Sequence, residues 1–282
     1  MTIGQALKRA QRDMKIKEAT LLLSYVIHKK YTTILAHTDA PISIRSYMRF
    51  LHLVRKRKKG VPFAYLTNEK AFFGLDFIVN KHTLIPRPDT EVLIEKVLEE
   101  LDTKTSPYTL IDVGVGSGCI PIAIQKNVNN ALTCIGTDKY KKALRIASKN
   151  SIRHNAPIQY IHTNLIKSIT HEMIHTKNLI ITANLPYIKK EQYKKEPSIK
   201  WEPTHALIAK ERGLALYKIL FTQIQTKKLD TLHCLTIYIE IDPDQKQEIK
   251  DIIHMHWPKA KVLVHKDLAQ LDRIVQIKIH HP

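Results

Sequence analysis

The apolar positions of the first 70 residues recur at the three-to-four spacing of amphipathic helices. One apolar stripe runs from Leu21 to Ile27 and a second runs from Tyr47 to Val54, with Pro41 between them. Proline is tolerated in the first turn of a helix and breaks a helix interior, so Pro41 is expected to start the second segment. The pattern predicts a small all-α domain over residues 1–70.

The pattern changes at residue 71, where apolar and polar positions alternate and turn residues intervene. Residues 71–88 therefore predict a β-hairpin or connector. Beyond it, strands are predicted at 108–113, 132–137, 158–162, 179–183, 235–240, 261–265 and 273–279. Helices are predicted at 89–101, 120–126, 141–150, 214–224 and 245–254, with Asp89 or Thr90 placed to cap the first of them. This alternation is typical of a doubly wound α/β fold, and the closing pair of strands predicts an antiparallel edge.

Composition narrows the class of protein. The chain of 282 residues contains no apolar run as long as a membrane span. Its N-terminus lacks the apolar core of a secretory signal. The three cysteines are odd in number and widely spaced, which argues for a reducing compartment. We therefore expect a cytoplasmic protein without a membrane anchor.

Positive charge is concentrated near the N-terminus. The whole chain has 45 Lys+Arg against 26 Asp+Glu, a formal net charge of +19. Residues 1–80 contain 15 Lys+Arg and five Asp+Glu, a net charge of +10. Such a surface favours encounter with nucleic acid or acidic protein. A lysine-rich composition without a polyanionic partner would produce the same numbers, so both interpretations stay open.

Three of the eight glycines lie within five residues, as Gly114, Gly116 and Gly118. A predicted strand precedes them and a helix follows, with Pro121 in the first turn of that helix. Glycines in this context allow the backbone to turn tightly and approach a ligand closely. The spacing differs from the G-x-G-x-x-G dinucleotide fingerprint, and the lysine of a P-loop is missing.

The spacing instead resembles the S-adenosylmethionine loop of Rossmann-like methyltransferases, with Asp112 two residues ahead of the first glycine. Asp138 ends the next predicted strand, where a carboxylate accepts hydrogen bonds from ribose hydroxyls. An acid at that position could instead cap the following helix. The glycine loop upstream favours the ribose role.

The predicted strand over 179–183 ends in Asn184-Leu185-Pro186-Tyr187. This segment resembles the (N/D)-P-P-(Y/F) motif of methyltransferases that act on planar nitrogen. An amide nitrogen is a poor nucleophile because its lone pair is delocalised. Two acceptors, the side-chain oxygen of Asn184 and the carbonyl of Leu185, could hold its N–H groups and orient it. Tyr187 would then pack on the flat group, and no general base is required if the proton leaves after transfer.

A broader resemblance covers almost the whole chain. The segment FAYLTNEKAFFGLDFIVNKHTLIPRPDTEVLIE, and within it LIPRPDTE (84–91), is similar to the segment that joins the two domains of the PrmC/HemK family. EATLLLSYVIHKKYTTILAHTDAPIS and DLAQLDRIVQIKI are similar to the helical domain and last strand of that family. Its members are protein-(glutamine-N5) methyltransferases that modify peptide chain release factors.

The resemblance implies a class I, Rossmann-like methyltransferase with a seven-stranded mixed sheet and a small N-terminal all-α domain. It divides the chain into a substrate-recognition domain (1–70), a hairpin or connector (71–88) and a methyltransferase domain (89–282). It implies transfer of a methyl group from S-adenosylmethionine to the glutamine of the GGQ motif in a release factor. The catalytic residues would be Asn184, Pro186 and Tyr187. Cofactor would contact Gly114, Val115, Gly116, Ser117, Gly118, Asp138, Leu165 and Asn184. The glutamine would contact Asn184, Leu185, Pro186, Tyr187 and Arg87.

Leu185 departs from the family pattern because it replaces a proline. The backbone carbonyl is unaffected by that change, so we expect the same geometry with a looser loop. N-L-P-Y is also usual in ribosomal RNA adenine dimethyltransferases, which makes RNA adenine N6-methylation the alternative function. A non-catalytic protein that binds S-adenosylmethionine and RNA is a third. The charge also leaves open a position near ribosomal RNA, and a monomer is expected.

One further motif is treated as a coincidence. Residues 171–175 match the H-E-x-x-H signature of zinc proteases. That signature requires a long helix and a third ligand. Here it lies in a short connector between two predicted strands, so no metal site is expected.

Overall fold

The computed structural model describes residues 1–102, 106–128, 132–188, 193, 197–208 and 213–280. The chain divides into two compact units. Unit 1 comprises Met1–Glu69 with Pro197–Trp201, and unit 2 comprises Lys70–Glu196 with Glu202–Pro282. None of the helices in the described ranges is long and apolar enough to cross a lipid bilayer.

The first 69 residues, all described, fold into five helices around one apolar core. Leu22, Leu23 and Phe50 are fully buried in that core, as the predicted stripes require. The side chains of Thr2 and Ser43 accept hydrogen bonds from the first turns of two of the helices. The helices are α1 (Ile3–Ala10), α2 (Ile16–Ile27), α3 (Tyr31–Ala36), α4 (Ile44–Lys58) and α5 (Phe63–Thr67).

The basic end of α4 is partly neutralised within unit 1. Arg57 Nη2 lies 3.0 Å from a carboxylate oxygen of Glu18, and Lys58 Nζ lies 2.7 Å from one of Asp13. The last turn of α4, which contains Arg55, Lys56, Arg57 and Lys58, therefore presents fewer unpaired charges than its sequence suggests.

A hairpin of β1 (Glu69–Phe72) and β2 (Leu75–Ile78) lies across the predicted start of the connector. Its turn residues, Phe73 and Gly74, have φ of +48° and +72°, the left-handed values of a tight hairpin turn. The backbone N–H of Phe73 donates to the Glu91 carboxylate at 3.0 Å, which helps to hold this uncommon conformation. The hairpin begins at residue 69, two positions before the predicted start of the connector.

Unit 2 contains the predicted seven-stranded mixed sheet, with strand order β5-β4-β3-β6-β7-β9-β8. Neighbours from β5 to β7 are parallel, and β9 is antiparallel to both β7 and β8. All residues of β3 and β7 are buried, as in a sheet covered on both faces. The strands are β3 (Tyr108–Val113), β4 (Leu132–Asp138), β5 (Gln159–His162), β6 (Asn178–Ala183), β7 (Cys234–Glu240), β8 (Lys261–Lys266) and β9 (Asp272–His280). The helices are α6 (Glu91–Asp102), α7 (Cys119–Asn127), α8 (Lys141–His154), α9 (Ala215–Thr226) and α10 (Lys246–His256).

The start of α6 corrects one prediction, because neither Asp89 nor Thr90 caps it. A 3₁₀ turn over Pro88–Thr90 leads directly into the helix, and its cap residue is Arg87. Thr90 is buried, and its hydroxyl donates to the carboxylate of Glu240 at 2.6 Å. A threonine at a helix start is a natural cap when only the local sequence is known, but here a buried acceptor from β7 takes its hydroxyl.

The topology brings three chain segments to one edge of the sheet. Because β3 is parallel to β4 and to β6, Val113 lies in register with Thr137 and Ala183. The segments that follow these strands therefore begin side by side at the carboxyl edge, where doubly wound sheets bind ligands.

Candidate active site

The loop between β3 and α7 holds its glycines in a conformation that other residues rarely adopt. φ is +77° at Gly114, +54° at Gly116 and +83° at Gly118. A Cβ on Gly118 would lie 3.0 Å from the hydroxyl of Tyr160 and 3.2 Å from Cβ of Ala147. A Cβ on Gly116 would meet only a backbone oxygen at 3.8 Å. The loop is thus packed tightly at its base and open at Gly116.

Asp138, at the end of β4, joins this loop to the next helix. Its Oδ2 accepts from the backbone N–H of Gly116 at 3.1 Å, and its Oδ1 accepts from that of Tyr140 at 2.8 Å. Burial raises the pKa of Asp138 more than these two N–H donors lower it. The carboxylate therefore contacts both the loop and the start of α8, and each oxygen can still accept a further bond.

Asp112, two residues before Gly114 in β3, is 1% exposed. Thr182 donates to its Oδ1 at 2.7 Å, whereas Oδ2 has no hydrogen-bond partner among the described residues. Burial raises the pKa of Asp112 to about 7, against the hydrogen bond from Thr182, and the charge of Asp138 adds to the rise.

The segment after β6 is held by a buried glutamate at the end of β7. Asn184 Nδ2 donates to Glu240 Oε2 at 2.7 Å and to Thr90 Oγ1 at 3.0 Å. The Tyr187 hydroxyl donates to Glu240 Oε1 at 2.8 Å. Glu240 is 1% exposed, and burial raises its pKa more than the hydrogen bonds from Thr90 and Tyr187 lower it. One carboxylate therefore contacts both ends of the N-L-P-Y segment.

Leu185 is packed into the site. It is buried, and its Cδ2 lies 3.0 Å from the position of a Cβ built on Gly114. Its backbone N–H donates to the hydroxyl of Tyr217 at 3.4 Å, and that hydroxyl donates to the backbone oxygen of Glu240 at 2.5 Å. A proline could not make the first of these bonds, so the leucine adds a tie to the loop that we expected it to loosen.

Arg87 is held by an ion pair with a buried acid. Its guanidinium contacts the carboxylate of Glu202, which also accepts from the backbone N–H of Ile85 at 3.0 Å. The side chain of Glu202 is 2% exposed, whereas that of Arg87 is 34% exposed. The buried acid therefore fixes a cation whose surface is still accessible.

These groups surround a cavity of about 240 Å³. All of the predicted site residues line it except Gly118, which lies at the base of the loop, and Tyr187, whose hydroxyl is bonded to Glu240. Tyr140 and His205 also line it, with ring centroids 3.6 Å apart, and neither was predicted. The sheet thus brings most of the predicted cofactor and substrate residues to one opening.

Sequence reasoning missed Glu240, Thr90 and Gly213. Glu240 had a usable signal, since it is an acid that ends an apolar strand at the same edge as Asn184. Gly213 has φ of +93°, and a Cβ there would lie 2.6 Å from the backbone oxygen of Tyr187. No motif surrounds Gly213, so only the structure shows that glycine is required there.

The H-E-x-x-H segment does not form the helix that a zinc protease needs. His171–Met173 make a single 3₁₀ turn, and His171 Nε2 lies 2.6 Å from the backbone oxygen of Lys227. Across the part of the chain that the structure describes, no group of three or more His, Cys, Asp or Glu is placed to hold a metal.

Known protein families match segments in both the N-terminal and the C-terminal part of the chain. The PrmC N-terminal domain model matches residues 2–67, and the methyltransferase small domain model matches residues 88–202. The release factor glutamine methyltransferase of Bacillus subtilis (strain 168) is 31% identical over 99% of this chain and 98% of its own. That of Enterococcus faecalis (strain ATCC 700802 / V583) is 34% identical over 76% of this chain and 74% of its own.

Solved structures agree on the fold. The catalytic domain of hMettl16, crystallised with MAT2A 3′UTR hairpin 6, matches with a TM-score of 0.56 at 14% identity. The match covers 84% of this chain and 82% of that one. The seven-stranded mixed sheet and its helices therefore form the Rossmann-like methyltransferase fold that the sequence predicted.

Proposed function

The chain belongs to the release factor glutamine methyltransferase family, and from this we propose the reaction that it catalyses. It transfers a methyl group from S-adenosylmethionine to the N5 amide of the GGQ-motif glutamine of peptide chain release factors. The observation that carries the proposal is that Asn184 lines the same cavity as the glycine loop, while both of its amide hydrogens are bonded to Thr90 and Glu240.

The glycine loop and Asp138 have the properties that S-adenosylmethionine requires. Gly116 leaves one side of the loop open, and both oxygens of Asp138 can accept further bonds, as ribose hydroxyls need. Leu165 is 7% exposed, lines the cavity and offers an apolar surface for the adenine ring. When bound, the cofactor supplies an electrophilic methyl group on a sulfonium sulfur. We propose that residues 114–118, Asp138, Leu165 and Asn184 hold it.

The N-L-P-Y segment has the acceptors that an amide substrate requires. Asn184 Oδ1 and the backbone oxygen of Leu185 would each accept one N–H of the glutamine, which orients its nitrogen and favours the positive charge that develops there. Fixed dipoles of this kind are worth about 10²- to 10³-fold in rate. Pro186 lines the same cavity and Arg87 is held at it, so both can contact the incoming chain. The nitrogen becomes acidic on methylation and loses its proton without a dedicated base.

The two units would have separate roles in this reaction. Residues 1–70 would recognise the release factor, residues 71–88 would connect the domains, and residues 89–282 would carry the methyltransferase. The net charge of +10 over residues 1–80 supports a position near acidic protein or ribosomal RNA. The enzyme would act as a monomer in the cytoplasm.

Transfer of labelled methyl groups tests the proposal. The protein is incubated with methyl-labelled S-adenosylmethionine and one of three substrates: a release factor, its GGQ-to-GGA variant, or ribosomal RNA. We expect label on the release factor and none on the GGA variant. Label on RNA would support adenine methylation instead, and label that persists on the GGA variant would place the modified residue elsewhere. The absence of label in all three reactions would support a non-catalytic binding protein.

A further inference from the structure

We infer that Glu240 and Thr90 are positioning residues, which fix the side-chain amide of Asn184 so that its oxygen faces the substrate. This inference rests on the proposed function, because it concerns how Asn184 is prepared for the substrate amide. Glu240 does not line the cavity and acts only through the side chains that it holds.

Donor and acceptor chemistry determines which way the Asn184 amide points. An ionised carboxylate can only accept hydrogen bonds. The Thr90 hydroxyl has one hydrogen, which it gives to Glu240 Oε2 at 2.6 Å, so toward Asn184 it can only accept. Both inward contacts of Asn184, at 2.7 and 3.0 Å, thus require N–H donors. The reversed amide would place Oδ1 against two acceptors, so Oδ1 must lie on the other side.

The same glutamate fixes the rest of the segment. Its second oxygen accepts from the Tyr187 hydroxyl at 2.8 Å, and its backbone oxygen accepts from Tyr217, which is also bonded to Leu185. Asn184, Leu185 and Tyr187 are therefore all tied to one residue at the end of β7. A small displacement of Glu240 would move both of the acceptors that the substrate amide needs.

The ionised form of Glu240 is essential to this arrangement. The groups that face it are Asp89 and Thr90 before α6, Asn184 and Tyr187 after β6, Tyr217 on α9 and Arg273 on β9. Arg273 favours the charged carboxylate and Asp89 opposes it. A proton on Oε2 would present a donor to Asn184 and release its amide to turn.

The structure contains a matched control in Glu100 on α6. Glu100 is also buried and accepts from the hydroxyls of Thr236 at 2.7 Å and Tyr238 at 2.8 Å and from the amide of Gln276 at 3.0 Å. None of these four residues lines the cavity. Loss of the carboxylate at either glutamate disrupts a similar network, but only Glu240 is bonded to Asn184.

The experiment compares Glu240→Gln with Glu100→Gln in the full chain. A glutamine at 240 can turn its own N–H groups toward Asn184, which would favour the reversed amide. We expect kcat at saturating cofactor and release factor to fall about 10²-fold, the scale of a misplaced reacting group. KM for S-adenosylmethionine should change less than about threefold, and Glu100→Gln should keep kcat within about threefold of wild type.

The threonines supply a second pair of variants. Thr90→Val removes the hydroxyl with little change in shape and should lower kcat about 10-fold, whereas Thr90→Ser should restore it to within about threefold of wild type. Thr236→Val removes the corresponding hydroxyl of the Glu100 network and should leave kcat unchanged.

A measurement that does not depend on activity completes the test. In protein labelled with ¹⁵N-asparagine, the side-chain amide of Asn184 is assigned by its absence from the Asn184→Asp spectrum. Its hydrogens should exchange slowly in the wild type and in Glu100→Gln, and faster in Glu240→Gln. Unchanged exchange in Glu240→Gln would overturn the inference, as would equal losses of activity at both glutamates. Wild-type protein that fails to methylate the glutamine would instead contradict the proposed function and leave the exchange test decisive for the inference.

Discussion

Glu240 and Glu100 are two buried acids that accept hydrogen bonds from the same kinds of donor, but their pKa values shift in opposite directions. Each accepts from a threonine hydroxyl, a tyrosine hydroxyl and a side-chain amide. Glu100 also pairs with Lys278 Nζ at 3.0 Å, whereas Glu240 has no cation within salt-bridge distance among the described residues. Burial raises the pKa of Glu240. Burial acts in the same direction on Glu100, but its hydrogen bonds and Lys278 outweigh that effect and lower the pKa.

The comparison indicates that the Glu100 network stabilises the fold, whereas the Glu240 network positions a residue of the site. At Glu100 the hydrogen bonds come from Thr236 and Tyr238 on β7 and from Gln276 on β9, and the nearby charge of Lys278 favours the ionised carboxylate. At Glu240 one donor is Asn184, which lines the cavity. A buried charge without a close cation lowers stability. The role of the Glu240 network is therefore to fix the geometry of the site.

The largest difference in kcat is expected between two single variants, each of which removes the side-chain amide bonded to one glutamate. Asn184→Ala also deletes Oδ1, the acceptor proposed to align the substrate amide, so we expect kcat to fall at least about 10²-fold. Gln276→Ala removes the corresponding amide from the Glu100 network and should keep kcat within about threefold, while the free energy of unfolding falls by about 1–3 kcal/mol. Initial rates and urea denaturation measure the two effects. Near-normal turnover by Asn184→Ala would contradict the role proposed for Asn184.

The next largest difference is expected in pH dependence, because protonation of Glu240 should affect kcat and protonation of Glu100 should affect stability. Because the pKa of Glu240 is raised in the folded state, its protonation as pH falls costs no stability, yet it removes the acceptor that holds Asn184. Because the pKa of Glu100 is lowered, its contribution to stability is present above the ordinary pKa and is lost as pH falls through the lowered value. We therefore expect kcat to fall with acidity before the fold is lost.

Thermal melts and kcat at saturating substrates, measured at the same pH values, test this order. Glu240→Gln should lose the acid limb of the kcat profile, and Glu100→Gln should keep it. If the wild type lost activity and unfolded at the same pH, the acid limb would result from unfolding and not from protonation of Glu240.

The contrast also shows which parts of the site local sequence can predict. The glycine loop and Asn184 carry their signals within a few residues, and the parallel strands bring them to one edge. The bond between Thr90 and Glu240 joins positions 150 apart, and no local pattern indicates it. Thr90 even has a good local interpretation as a helix cap, which the structure shows to be wrong. Buried polar networks are assembled by the tertiary fold, so their members look like ordinary cap, strand or loop residues in the sequence.

A smaller effect on stability is expected at Glu100 itself. Glu100→Gln keeps the shape of the side chain but removes the charge opposite Lys278, so we expect about 1–3 kcal/mol less free energy of unfolding. Glu240→Gln should lose less, because neutralisation there also relieves a buried charge without a close partner. Urea denaturation of both variants at neutral pH measures the difference. A larger loss of stability at Glu240 would mean that its network serves mainly to hold the fold.

The smallest effect is expected at Leu185, where the family motif has proline. Leu185→Pro removes the N–H that donates to Tyr217 at 3.4 Å, and such a bond is worth about 0.5–1.5 kcal/mol. The backbone oxygen proposed to accept from the substrate is retained, and Asn184 keeps its bonds to Glu240, so kcat should change less than about threefold. A double-mutant cycle with Tyr217→Phe checks the cause, because the two losses of stability should be less than additive if that bond is shared. Full additivity would show that the leucine contributes only through its side-chain packing, and a large gain in kcat would show that it slows the enzyme.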